Sequence, residues 1–219
     1  FRREPIVEAG MFDPALRSCE DWDLWLRLLP TRKLIGSPKC LVRYRVHGSS
    51  LSTNVHGMQG ATRKVIEKLF GNETGDLSSW TPDKRRAYGG VYRYQALTFV
   101  QRQNNWQAAE NPVCKALQID PLLAKDLNFF YELALGTQPV GYRGAGELKG
   151  FEENASHLEN LVRQVCGSPE IQPIQRIVLG TCYFALGLVS YNLSERSQSR
   201  GYFLKALFRR PELFLDPRI

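Results

Sequence analysis

The sequence predicts a chain of mixed class: an α/β segment over residues 1–58, a helix and linker over 59–82, and an all-α, repeat-like region over 83–219, so that most residues are helical. Three observations predict this. Short helical and strand signals alternate in the first zone, a mixture that suits α/β packing. Turn formers crowd between Gly71 and Pro82 and mark the boundary. Beyond it, apolar residues recur at helical spacing.

In chain order, Ile6 to Ala9 reads as a short helix that Gly10 ends, and Phe12-Asp13-Pro14 as a turn. From Glu20 to Leu29 the residues Trp22, Leu24, Trp25, Leu26, Leu28 and Leu29 make a dense amphipathic helix. Asp21 and Asp23 stand near its start, where the helix dipole favours negative charge. Lys33 to Ile35 and Cys40 to Val46 read as strands separated by a Gly-Ser-Pro turn. A polar Ser/Thr/Asn loop then leads to a helix from Gly60 to Phe70.

In the third zone, Tyr88, Val91, Tyr92, Gln95 and Phe99 hold helical spacing, which resumes from Trp106 and again from Ile174 to Leu188. Two segments resemble parts of the tetratricopeptide repeat, a helix-turn-helix unit. Ala109, Ala116 and Pro121 carry the marks of its second helix and exit. Leu186-Gly187, Phe203, Ala206 and Pro211 carry them again about ninety residues later. Small residues let two helices approach and proline stops the second one. The interval is not a multiple of the repeat, and the Gly-rich stretch from Gly136 to Gly150 interrupts it, so the array is expected to be irregular.

Composition narrows the function classes. Hydrophobic residues make up 43% of the 219, enough for a core, and argue against low-complexity disorder. The net charge of +7 attracts anions without choosing among nucleotide diphosphates, nucleic acid and acidic lipids. No helix pattern shows a basic stripe interleaved with aromatics, so nucleic acid ranks last. Cys19, Cys40, Cys114, Cys166 and Cys182 are scattered, without the pairing a zinc site or disulfide framework needs, which suits a reducing compartment. No apolar run reaches bilayer length; Ile177 to Val189 reads as a buried helix. Asn72, Asn154 and Asn192 each open an Asn-x-Ser/Thr triplet, a pattern common by chance.

The chemistry-bearing residues are Gly10-Met11-Phe12-Asp13, then Glu20-Asp21-Trp22-Asp23-Leu24-Trp25-Leu26-Arg27-Leu28, then Leu41-Val42-Arg43-Tyr44-Arg45-Val46-His47-Gly48-Ser49-Ser50-Leu51-Ser52. In this order and spacing they resemble the C-terminal part of a family 2 inverting glycosyltransferase of GT-A fold. The match covers about a quarter of the chain. Inverting transfer attacks the anomeric carbon in one displacement, and the acceptor hydroxyl needs a carboxylate to take its proton. The resemblance implies Asp21 as that base, with Glu20 as second candidate; a plain helix cap is the competing reading of Asp21. Trp22 is a candidate sugar-stacking surface, with core packing an even alternative, whereas Trp25 and Leu26 read as core. Asp23 and Arg27 stand four apart, the spacing of a surface ion pair.

The resemblance also implies a loop near the nucleotide diphosphate, bearing His47 and Ser49, with His47 a metal-ligand candidate against a surface-turn histidine. Arg43 and Arg45 share one strand face and are candidates for phosphate contact or ordinary surface charge. His56 and His157 receive no role. A divalent metal, Mn or Mg, is implied for the parent enzyme, but the Asp-x-Asp motif that would hold it is absent; Asp21-Trp22-Asp23 has its spelling within the base-bearing helix. The chain is therefore expected to be a fragment, inactive without an N-terminal nucleotide-binding half. Expected partners are a nucleotide-sugar donor, an acceptor that is a glycan, lipid or protein, and a protein on the helical zone. The expected setting is cytoplasmic, with the inner face of the membrane as the alternative. The competing reading is a helical-repeat binding module bearing a degenerate transferase remnant.

Overall fold

The computed structural model describes residues 2–33, 35–43, 54–137, 148 and 150–215. The chain is predominantly helical and divides into two compact units, residues 1–74 and 75–219.

The first unit holds α1 (Arg3–Glu8), α2 (Glu20–Leu28) and α3 (Val55–Phe70). Helix α2 buries Leu24 and Leu28, and α3 buries Ala61, Val65 and Ile66. Asn54 caps α3 by accepting from the Gly57 N–H at 3.0 Å, so that helix starts a turn and a half earlier than Gly60.

The expected strands are not found among the described residues. Lys33 and residues 35–43 run irregularly, with Ile35, Leu41 and Val42 at 95%, 73% and 81% exposure. The sequence pattern was that of strands, but a strand is stable only when a neighbour takes up its backbone N–H and C=O groups. No described segment lies alongside to do so, and residues 34 and 44–46 fall outside the description. The α/β reading of 1–58 is thus corrected, over the described residues, to helices joined by irregular chain, while the helical reading of the remainder holds.

The second unit opens with α4 (Pro82–Gln103), capped by Thr81 and started by Pro82. It continues with α5 (Trp106–Ile119), α6 (Leu127–Ala134), α7 (Phe151–Cys166), α8 (Gln175–Asn192) and α9 (Arg196–Arg209). These pack as three successive hairpins, α4/α5, α6/α7 and α8/α9. The first helices form one row, with α6 against both α4 and α8. In the other row α7 lies against α5 and reaches α9 through Glu152–Gln198 and Glu159–Lys205. Gly136 to Gly150 therefore joins the two helices of the middle hairpin, which is why it breaks the interval between the outer two.

The core collects Val113, Leu117, Phe129, Phe130, Leu158 and Phe184, among others, each at most 1% exposed. Helix α8 is apolar and long enough to cross a membrane, yet it is largely buried here, with Val178, Cys182, Leu186 and Val189 inside. A Cβ at Gly187 would stand 2.6 Å from the Phe203 ring, and one at Gly180 would stand 2.4 Å from Arg210, so both glycines serve the close approach of α9. Thr181 fixes the junction: its hydroxyl donates to the Ala124 carbonyl at 2.6 Å and accepts from Arg210 at 2.7 Å. A Pro-led 3₁₀ turn follows each outer hairpin, at Pro121–Lys125 and Pro211–Leu215.

Candidate functional site

The candidate site is built on the start of α2. Asp13 opens it with a tight turn, its Oδ1 accepting from the Ala15 N–H at 2.9 Å. The helix then begins at Cys19, whose left-handed backbone (φ 61°) turns the chain into its first hydrogen bond, Asp23 N–H to Cys19 O at 2.9 Å. Glu20 and Asp21 occupy the first turn; Glu20 is half-buried and Asp21 exposed. Asp21 Oδ1 accepts from the Trp22 N–H at 2.7 Å, and its Oδ2 has no partner among the described residues. Trp22 beside it is 37% exposed, and Trp25 is half-buried.

Asp23 is different. It is fully buried, and its Oδ2 accepts from Arg27 Nη2 at 2.7 Å and Nε at 3.0 Å. Lys68 Nζ from α3 stands 3.0 Å from Oδ1, an ion pair that falls short of a directed hydrogen bond. The same guanidinium donates to the carbonyls of Ala9 and Met11, the latter at 2.6 Å. Lys68 also donates to Asp13 Oδ2 at 2.6 Å. These bonds tie the Gly10–Asp13 turn, the Glu20–Leu28 helix and α3 into one polar hub. The pair expected on the helix surface is a buried clamp. The hydrogen bond from Lys68 lowers the Asp13 carboxyl below its ordinary value, and that bond, together with the close carboxylate of Asp23, raises Lys68.

Cys19 sits between the hub and α3, its sulfur 3.8 Å from the Thr62 hydroxyl; burial raises its thiol. On the other side of Cys19, segment Ala15–Ser18 and the first turns of α3 enclose a cavity of about 490 Å³. Arg17, His56 and Lys64 line it together with Ser18 and Asn54, and no carboxylate does among the described residues. The sequence reading missed this grouping. Arg17 lies between the two motifs and His56 has no partner in the local sequence; only the fold of α3 onto the loop brings them together.

Of the remaining candidates, Arg43 is exposed and makes no contact with Asp21 among the described residues. Arg45, His47 and Ser49 lie outside the described residues. The divalent metal is implied for the parent enzyme, and the described residues offer it no seat. Asp23 is committed to Arg27 and Lys68, so Asp21 and Asp23 do not form a free ligand pair, and no group of three His, Cys, Asp or Glu placed to hold a metal occurs among the described residues.

No family model matches the chain, and no curated protein or solved structure matches it either.

Proposed function

We propose that residues 1–58 are the acceptor-side part of an inverting family 2 glycosyltransferase, with Asp21 as general base and Glu20 as the alternative. The observation that carries the reading is the opposite treatment of two neighbouring carboxylates. Asp23 is locked beneath the helix by Arg27 and Lys68, while Asp21 is presented to solvent with an open oxygen beside Trp22. A helix cap needs only one of them, and α2 takes its first turn through Cys19.

In the proposed reaction Asp21 Oδ2 takes the proton of the acceptor hydroxyl as its oxygen attacks the anomeric carbon. The glycosidic bond to the diphosphate breaks and its electron pair leaves on the nucleotide. Trp22 offers a face for a sugar ring, and Arg17, His56 and Lys64 offer a seat for an anionic group of either substrate. The nucleotide itself is held by a half that the resemblance places N-terminal to these residues. The three-hairpin packing of residues 75–219 favours a second, compatible reading of that unit as a protein-binding module.

Calorimetric titration of UDP and GDP with manganese, into this chain and into one extended upstream, tests the reading. Binding confined to the longer chain is expected. Binding to neither overturns it.

A further inference from the structure

One enclosed space in the first unit gathers positive charge alone. The cavity of about 490 Å³ lies between segment Ala15–Ser18 and the first turns of α3, and Arg17, His56 and Lys64 line it. Among the described residues none of these three has an ion-pair partner, whereas Arg27, Arg32, Arg63 and Lys68 of the same unit are each paired with a carboxylate. Helix α3 itself holds a single acidic residue, Glu67, which Arg63 binds at 2.9 Å. A concave space lined by one sign of charge focuses the field and concentrates the opposite ion.

Both walls are shaped for a small group. On α3, His56, Gly60 and Lys64 follow one another at four-residue spacing and so share a face. Gly57, Gly60 and Ala61 keep the floor between the two cations low, and a Cβ at Gly60 would meet nothing within 4 Å. The helix turns its positive end to the cavity, with no acidic residue in its first turn. Asn54 spends its Oδ1 on the Gly57 N–H at 3.0 Å, which leaves its amide NH₂ as a further donor. The facing wall is held at both ends. Asp13 accepts from the Ala15 N–H at 2.9 Å and from Lys68 at 2.6 Å, and the Cys19 sulfur lies 3.8 Å from the Thr62 hydroxyl. Arg17 and Ser18 are thus held against α3 before any ligand arrives.

We propose that this cavity binds a bare phosphate monoester, held by Arg17, His56 and Lys64. The Arg17 guanidinium matches two phosphate oxygens at once, Lys64 adds a point charge, and His56 offers a ring N–H in either charge state. The rest of the space, walled by Ala15, Leu16 and Ala61, admits a small organic body behind the phosphate. A metal-bound diphosphate would bring a cation against these side chains with no carboxylate to receive it, so the site suits a phosphate that carries no metal. A soluble phosphate ester and the headgroup of a phosphomonoester lipid share this chemistry. The inference narrows the anion seat described above to one ligand class and stands without the transferase reading, because it needs neither metal nor nucleotide.

The test is calorimetric titration of the 219-residue chain, in EDTA and without nucleotide, with glycerol 3-phosphate and with phosphatidylcholine vesicles that contain phosphatidic acid. Saturable binding is expected that inorganic phosphate displaces, that falls as salt is added, and that weakens about tenfold or more in Arg17→Ala and in Lys64→Ala. Both side chains are exposed, so circular dichroism of these variants should match the parent. Gly60→Glu sets a carboxylate in the open space, at a position where a helix prefers it to glycine, and should abolish binding while the melting temperature is kept. Lys39→Ala removes an exposed charge away from the cavity and should leave binding unchanged. Binding of glycerol 3-phosphate alone marks a soluble ligand, and tighter, Arg17-dependent binding of the vesicles marks a lipid headgroup; either upholds the proposal. Absence of binding by both probes, or binding that Lys39→Ala weakens as much as Arg17→Ala does, overturns it. Failure here is separate from failure of the UDP and GDP titration, because neither nucleotide nor manganese is present.

Discussion

Asp21 and Asp23 sit two positions apart on one helix, and the fold gives them opposite tasks. Asp23 is fully buried, so Asp23→Asn leaves Arg27 and Lys68 facing an uncharged group, and the first unit should lose about 3 kcal/mol in urea unfolding followed by tryptophan fluorescence. The Lys68–Asp13 bond adds a pH signature. Asp13 is depressed on folding, so its contribution is present above the ordinary value of 3.8 and is lost as pH falls through the lower folded value. Lys68 is raised, so its contribution is present below 10.5 and is lost only as pH rises through the higher folded value. The urea midpoint should therefore hold between these limits and drop at the acid end, and Asp13→Asn should reduce that drop. The i,i+4 spacing of Asp23 and Arg27 made their pairing legible in the sequence, but not its burial. Lys68 and the carbonyls of Ala9 and Met11 close over the pair from segments that no local pattern connects to it.

At the scale of elements, the outer hairpins are where sequence and structure agree most closely. Small residues at Ala109, Ala116, Gly187 and Ala206 lie at the helix contacts, because two helices approach closely only where side chains are short. Gly187→Ala should destabilise the chain: the new methyl meets the Phe203 ring, and a clash of about 1–3 kcal/mol exceeds the helix-propensity gain of about 1 kcal/mol. Gly201→Ala, in open space on the partner helix, should instead stabilise by about 0.5–1 kcal/mol. Thermal melting of the two variants checks the opposite signs. The middle hairpin was not legible: α6 is only eight residues long and its partner α7 follows a long connection, so neither repeat spacing nor a proline exit announces it. The strands failed for another reason. Alternation around Cys40–Arg43 states a preference, and a sheet needs a partner that no local pattern supplies.

The whole molecule joins a small unit, carrying an exposed carboxylate over a buried ionic clamp, to a larger stack of helical hairpins. The order of the motifs was legible because each piece is contiguous in the chain. The basic cavity at Arg17, His56 and Lys64 was not, because its walls are forty residues apart. The proposed role of Asp21 as the base of glycosyl transfer is tested most directly by turnover of a chain extended upstream through the nucleotide-binding half that the proposal requires. With UDP- and GDP-sugars as donors, release of the nucleotide diphosphate should fall about 10²–10⁴-fold in Asp21→Asn, with nucleotide affinity and melting temperature unchanged. Unchanged turnover in Asp21→Asn and in Glu20→Gln alike would contradict the account and leave the α2 carboxylates a structural role alone.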